Sequence, residues 1–194
     1  MGLDPINPML LPIPESFESD RLLIRAPLPG DGAAVNEAMK ESAEELRCWM
    51  PWAQTMPTIE QSELNIRRSQ LQFMERSDLR LLLFHKNDAH FIGSSGLHRI
   101  DWQARKFEIG YWVRTSCSRQ GFITEAVEAI SQFAIDQLQA NRIEIRCDAR
   151  NVRSALVAER LQFTLEGTLR RDHCDPEGLL QDTLVFAKVR GIEF

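Results

Sequence analysis

The stretch of this chain best furnished for chemistry runs from Glu108 to Ala126. Glu108-Ile109-Gly110-Tyr111-Trp112-Val113 reads as a strand, and after a short loop Ser118-Arg119-Gln120-Gly121-Phe122-Ile123-Thr124-Glu125-Ala126 opens a long helix. Gly121 lets the backbone approach a ligand closely. The first turn of the helix presents N–H groups without intrahelical partners at the positive end of its dipole, a seat for phosphate. Arg114 and Arg119 add positive charge nearby. Any strand–loop–helix connection with one glycine offers as much, so the pattern alone leaves an ordinary connection open.

Other chemistries lack their residues. Neither GxGxxG nor GxxxxGK[ST] occurs, and Gly93-Ser94-Ser95-Gly96 has no Lys and lies inside a strand pattern. The serine-hydrolase elbow GxSxG is missing. His85, His90, His98 and His173 show no zinc spacing and read as surface or hairpin residues. Cys48, Cys117, Cys147 and Cys174 are scattered singly, without a CxxC pair, and read as reduced thiols of a cytoplasmic protein. No metal is expected.

Hydrophobic periodicity supplies the elements that must position these residues. Residues 1–19 carry Pro5, Pro8, Pro12 and Pro14 and predict an extended, proline-rich arm outside the core, dispensable for ligand binding. Residues 21–25 predict a first strand. Asp31 predicts a helix cap, with Val35, Ala38 and Met39 on the apolar face that follows, and residues 44–49 a short helix that stops at Pro51. Thr58 and Gln61 form a capping box for a helix with Ile59, Ile66 and Phe73 inward. Residues 79–84 are an almost continuous apolar strand, and residues 91–100 and 105–113 a hairpin. The helix from Gly121 to about residue 140 shows Ile123, Ala126, Val127, Ile130, Ala134 and Leu138 on one stripe. A strand over 142–148, a helix over 151–161 with Val152, Ala155, Leu156 and Leu161 inward, and strands over 163–171 and 180–189 follow. The order predicts an α/β (α+β) fold: a mixed sheet of about seven strands with helices on both faces, in one domain over residues 20–194.

Composition agrees with a globular chain. Of 194 residues, 43% are hydrophobic and 26% charged, and no apolar run is long enough to span a membrane. Acidic residues outnumber basic ones, 28 to 23, for a net charge of -5. That balance argues against a broad nucleic-acid-binding face. The amino terminus lacks the basic and apolar regions of a signal peptide, and Ile6 stands where a myristoylation signal needs Ser or Thr.

Over residues 20 to about 190 the chain resembles the GNAT acyl-CoA-dependent N-acyltransferases, and within them the RimJ/RimL-type ribosomal-protein N-acetyltransferases. The resemblance rests on ordered pieces: Asp20-Arg21-Leu22, Trp49-Met50-Pro51-Trp52, Ile92-Gly93, Glu108-Ile109-Gly110-Tyr111-Trp112-Val113, Gly121-Phe122-Ile123-Thr124-Glu125-Ala126, Asn151-Val152-Arg153-Ser154-Ala155, Leu161-Gln162-Phe163 and Glu166-Gly167. It implies a twisted, mostly antiparallel GNAT-like sheet and acetyl-CoA as co-substrate. The implied acceptor is a primary amine, foremost the N-terminus of a protein or peptide such as a ribosomal protein, with a small-molecule amine or a CoA-binding module without turnover as alternatives. A monomer or a homodimer is expected. The chain departs from the family's pyrophosphate signature, (Arg or Gln)-x-x-Gly-x-(Gly or Ala), at Ser118 and Ile123, and Gln162 replaces a common Gly. Arg119 is expected to restore the missing charge.

The resemblance also implies site residues. Trp112, Val113 and Arg114 fall where the family's fourth strand binds the pantetheine arm and thioester oxygen, and Arg119, Gln120, Gly121, Phe122, Ile123 and Thr124 where it holds the pyrophosphate. Glu108, on the face of Gly110 and Trp112, is the expected general base, with pairing to an Arg on a neighbouring strand as the alternative. Asn151 and Ser154 match residues near the CoA sulfur, and Ser154 either relays a proton to the thiolate or merely packs there. Tyr111, the only Tyr, lies upstream of the helix that carries the acid Tyr in many relatives, leaving that role empty or filled otherwise. Trp49 and Trp52 match aromatic residues that wall the acceptor tunnel, or else anchor the core. His173 and Cys174 reach a peptide amine or sit in a solvated loop.

Overall fold

A computed structural model describes residues 7–175 and 177–194. Eight strands form one sheet in the order β1-β2-β3-β4-β5-β6-β8-β7. They are β1 (Ser16–Glu18), β2 (Leu22–Arg25), β3 (Leu79–His85), β4 (Phe91–Asp101), β5 (Lys106–Val113), β6 (Arg142–Asp148), β7 (Thr164–Cys174) and β8 (Leu180–Val189). Helices α1 (Gly32–Glu41), α2 (Ala43–Arg47) and α3 (Ile59–Glu75) join β2 to β3; α4 (Phe122–Gln137) and α5 (Val152–Arg160) flank β6. Every strand pairing is antiparallel except β5 with β6.

Side-chain alternation divides the interior in two. Leu22, Ile24, Leu81, Leu83, Phe107 and Ile109 point to the face covered by α4, whose Ala126, Val127, Ile130 and Ala134 are buried against them. Leu82, Phe84 and Phe91 point the other way, onto Val35, Ala38 and Met39 of α1 and Ile66 of α3. This is why residues 79–84 read as continuously apolar: both faces of β3 are covered.

Several expectations are corrected. The sheet has eight strands rather than about seven, because part of the amino-terminal arm joins it: Ser16 to Glu18 pair with Leu23 to Arg25. Ile13 is 6% exposed in the larger core, and the Phe17 ring stacks on Phe133 at 4.4 Å between centroids. Truncating a buried Ile costs about 2–5 kcal/mol, so residues from Ile13 onward belong to the fold and are not an arm outside the core. Residues 1–6, with Pro5 and Ile6, lie outside the described residues.

Asp31 occupies the cap position of α1 but caps nothing; its carboxylate pairs with both Arg25 Nη atoms at 2.7 Å and accepts from the Leu28 N–H. Glu63 of α3 receives the Gly32 N–H instead, at 3.1 Å. The capping box at Thr58 forms, but Ile59 is exposed at the first position of α3, leaving Ile66 and Phe73 inward. On α5, Ala155 and Ala158 face the core and bring the helix close, which turns Val152 and Leu156 outward. β7 runs on through Cys174, so residues 172–174 are strand rather than loop.

Candidate active site

The site begins where two strands part. β5 and β6 pair only over Lys106–Arg142, Phe107–Ile143 and Glu108–Glu144. Beyond that point β5 stays with β4 as far as Val113, and β6 stays with β8 as far as Asp148. The backbone groups of 109–113 that face away from β4 therefore have no strand partner. The closed end is stitched by charge: Lys106 and Arg142 both reach the buried Glu144, at 3.3 and 2.6 Å.

One residue pair bridges the open end. The Tyr111 Oη lies 2.9 Å from the Ser154 Oγ and donates to the Ser154 carbonyl at 3.1 Å. Burial pushes the Tyr111 hydroxyl up to about 12, against the lowering effect of its bond to Ser154, so it keeps its proton at neutral pH. Burial likewise raises the thiol of Cys147. Asn151 caps α5 by accepting from the Ser154 N–H at 3.1 Å, which fixes Ser154 at the gap. The sequence left the acid Tyr role unfilled because 43 positions separate Tyr111 from Ser154; only the parting of the strands brings them together.

The turn into α4 has the form that a phosphate requires. Gly121 sits at φ +82°, ψ −2°. The N–H groups of Gln120, Gly121, Phe122, Ile123 and Thr124 donate to no acceptor among the described residues. Arg119 is exposed beside them at φ +60°. A second cation that sequence reasoning missed, Arg21, donates to the Gln120 carbonyl at 3.1 Å, lies over the Phe122 ring and brings Nη2 within 3.4 Å of the position a Gly121 Cβ would take. Ile123 packs on the larger core instead of filling the turn. Gln162 adopts φ +60°, the left-handed conformation that explains a Gly at this place. Arg114 is absorbed elsewhere: its guanidinium pairs with Glu37 and Glu41 of α1.

Glu125 locks this turn to β2. Its carboxylate accepts from the Ser19 hydroxyl at 2.7 Å, the Arg21 N–H at 2.7 Å and the Arg21 Nε at 2.6 Å. Burial alone would raise its pKa; the bonds from Ser19 and Arg21 outweigh burial and lower it from 4.5. A depressed carboxylate stabilises the fold above its unfolded pKa and loses that contribution as the pH falls through its folded value. Glu125→Gln is therefore expected to cost about 1 kcal/mol at pH 7, the half-exposed Arg21 screening the rest. The gap in Tm between variant and parent should close as thermal melts are taken from pH 7 down below pH 4; a gap that persists unchanged at low pH would disprove the role.

On the other face of the sheet lies a cavity of about 750 Å³ between α3, the segment around Trp52, and strands β3 to β5. Trp52, Trp112, Gly110, Tyr111, Arg80 and His98 are among its lining residues. Trp52 tilts against Trp112 at 6.2 Å between centroids. Trp49 is exposed and does not line the cavity; nor does His173, whose ring contacts Thr183 and, at 3.5 Å, Asp148. Glu108 also lies outside the lining and pairs with Arg99 at 3.5 Å, the arrangement held open as its alternative.

His98, read from sequence as a hairpin residue, is instead built into the cavity wall. Its Nδ1 bonds Asp78 Oδ2 at 2.7 Å, and since a carboxylate can only accept, Nδ1 carries a proton and, in the neutral ring, the lone pair is on Nε2. Nε2 has no hydrogen-bond partner among the described residues. The ring lies over two glycines: a Cβ on Gly96 would meet Cε1 at 3.1 Å, and one on Gly110 would meet Cδ2 at 3.1 Å. The available signal was register, because β4 pairs His98 with Glu108 and places it one row beyond Gly96–Gly110.

A gap of unpaired strand backbone with free N–H groups beside it, opposite a cavity that ends on the same strand, is the form of a two-substrate group transferase. Residues 21–164 match the family described as the acetyltransferase (GNAT) domain, and the chain belongs to that family. It is 29% identical over 128 residues to the ribosomal-protein-serine acetyltransferase of Escherichia coli (strain K12), covering 64% of this chain and 71% of that protein. The fold matches that of RimL, a ribosomal L7/L12 alpha-N-protein acetyltransferase solved with coenzyme A, at a TM-score of 0.82 and 23% identity over 91% of this chain and 97% of that one. The microcin C7 self-immunity acetyltransferase MccE, solved with acetyl-CoA and AMP, matches at a TM-score of 0.82 and 23% identity over 88% and 93%. No helix among the described residues is long and apolar enough to cross a membrane.

Proposed function

We propose that this N-acetyltransferase moves the acetyl group of acetyl-CoA to the N-terminal amino group of a protein, a ribosomal protein foremost, in the cytoplasm. The observation that carries the reading is the parted β5–β6 pair, bridged by Tyr111 and Ser154, with the cavity meeting it at Gly110 and Tyr111. Relatives named for ribosomal-protein acetylation support the acceptor class. The cavity is also small enough to suit a low-molecular-weight amine, which stands as the second reading.

The residues present fit acetyl-CoA. The free N–H groups of 120–124, with Arg21 and Arg119, would hold its phosphates, and the unpaired backbone of 109–113, including Trp112 and Val113, would hold its arm. When bound, acetyl-CoA supplies an acyl group activated as a thioester. The remaining work falls to side chains. His98, a residue of the cavity wall, accepts the amine proton at Nε2, while Asp78 keeps the ring in the required tautomer and stabilises its charged form. As the thioester C–S bond breaks, the Ser154 hydroxyl would give its proton to the sulfur and take one from the Tyr111 hydroxyl, a proton donor at neutral pH, whose O–H turns from the Ser154 carbonyl to its Oγ. Trp52 and Trp112 exclude water from the cavity wall.

Incubation of ribosomal proteins with the enzyme and labelled acetyl-CoA, followed by mass spectrometry, should find the label on an N-terminal amine. Label confined to lysine side chains, or found only on small amines, would overturn the protein-terminus reading.

A further inference from the structure

Among the described residues, the wall of the acceptor-side cavity holds two cations, Arg68 and Arg80, and no Asp or Glu. Arg80 is the unusual member. It interrupts a strand whose Leu79, Leu81, Leu82 and Leu83 are fully buried. Its Nε donates to Ser94 Oγ at 3.1 Å, and its Nη1 to Asn65 Oδ1 at 2.6 Å and Ser69 Oγ at 3.3 Å. Every one of these partners is neutral. Nη2 donates to no described residue and is not sealed from the cavity. Two carboxylates act on Arg80 through space, Asp78 and Asp31, and each is already engaged, Asp78 by the His98 ring and Asp31 by both Nη atoms of Arg25.

A tie between β3 and α3 could be made by a neutral amide. Holding a guanidinium there without a carboxylate costs desolvation that neutral partners return only in part. The counter-charge is therefore expected to arrive with a ligand. Resting on the transfer reading above, we propose that the acceptor carries an anionic group, a carboxylate in the simplest case, a few bonds from its amine, and that Arg80 binds it. The fork geometry of a guanidinium suits a carboxylate or phosphate through two parallel N–H bonds.

Register supports the distance. Arg80 pairs with Gly96 and Gly96 with Gly110, a single row across three strands, about 10 Å from end to end at the usual strand spacing. The His98 ring lies over the two glycines of that row. An amine at Nε2 and an anion at Arg80 thus share one short row of the sheet. A peptide that begins with Asp or Glu has this chemistry, and so does a free acidic amino acid.

The test compares matched acceptors. Short C-terminally amidated peptides beginning with Glu or Gln, and the single amino acids glutamate and glutamine as their α-amides, are assayed by thiol release with the parent and with Arg80→Gln. The acidic acceptor should be preferred by at least about tenfold in kcat/KM, the scale of one charge-assisted contact, and Arg80→Gln should bring the ratio near one. The peptide and single amino acid arms show which source presents the group. Calorimetry with N-acetylated Glu and Gln peptides, in the presence of CoA, reads the same preference without turnover. Selective binding without thiol release would leave the anion site standing and overturn the transfer reading. Equal binding of the acidic and neutral peptides by the parent, which requires no substitution, would overturn the anion site, as would a preference retained in folded Arg80→Gln.

Discussion

His98→Gln should lower kcat/KM by roughly 10²–10⁴ at neutral pH, the usual contribution of a positioned acid or base. The loss should fall on kcat, with the affinity for acetyl-CoA unchanged, because the phosphate seat proposed at Gly121 is on the far side of the sheet. Two observations separate His98 from the carboxylate that sequence favours. The His98 ring lines the cavity and presents an unpartnered Nε2, whereas Glu108 is outside the lining and paired with Arg99. Glu108→Gln should therefore cost much less than His98→Gln. Asp78→Asn, which removes the acceptor for Nδ1–H, should fall between them, since the ring stays but its tautomer is no longer fixed. Raising the pH supplies neutral amine without a base and should partly restore His98→Gln, as should added imidazole. Steady-state kinetics across pH on the three variants measures all of this. If Glu108→Gln is the crippled variant and His98→Gln turns over at the parent rate, the roles assigned to these residues must be exchanged.

The elements were legible because periodicity and capping are local. The α4 stripe, the Thr58–Gln61 box and the strands at 142–148 and 180–189 all stand where pattern places them. The Gly121 turn was legible for the same reason: its free N–H groups follow from a glycine followed by a helix. The side chains of the candidate site were harder to see, because their partners are set by sheet register. Asp78 meets His98 across 20 positions, Arg21 meets Glu125 across 104, and Tyr111 meets Ser154 across 43. Arg80 was hidden by its neighbours; an apolar run reads as core, and the one charge inside it gains meaning only when a cavity is found beside it. The amino-terminal arm failed for a related reason. Proline forbids helix but permits an edge strand, so Ser16–Glu18 could join the sheet without leaving a periodic signal.

Gly121→Val should raise the Kd for CoA by about 10²–10³, equivalent to losing one or two charge-assisted N–H bonds to phosphate. Two effects act together. At φ +82° an L-residue is strained by about 1–2 kcal/mol, and a β-branched one by more, which turns the free N–H groups of 120–124 out of alignment. The branched side chain also stands where a phosphate must come. The protein itself has room, because the nearest atom to a Cβ at this position is Arg21 Nη2 at 3.4 Å, an ordinary contact. The fold should accordingly survive, and near-parent melting curves would confirm it. Gly121→Asn separates the two effects, since Asn tolerates the left-handed region: the backbone strain is largely removed and only the obstruction remains, so its loss should be smaller. Pantetheine supplies the internal control, having the arm but no pyrophosphate. Calorimetry should find its affinity for Gly121→Val unchanged while that of CoA collapses. An equal loss for both ligands would mean that the substitution disturbs the gap between β5 and β6. Undiminished CoA binding in the folded variant would remove the turn from the site altogether, leaving the charges of Arg21 and Arg119 without a phosphate to hold.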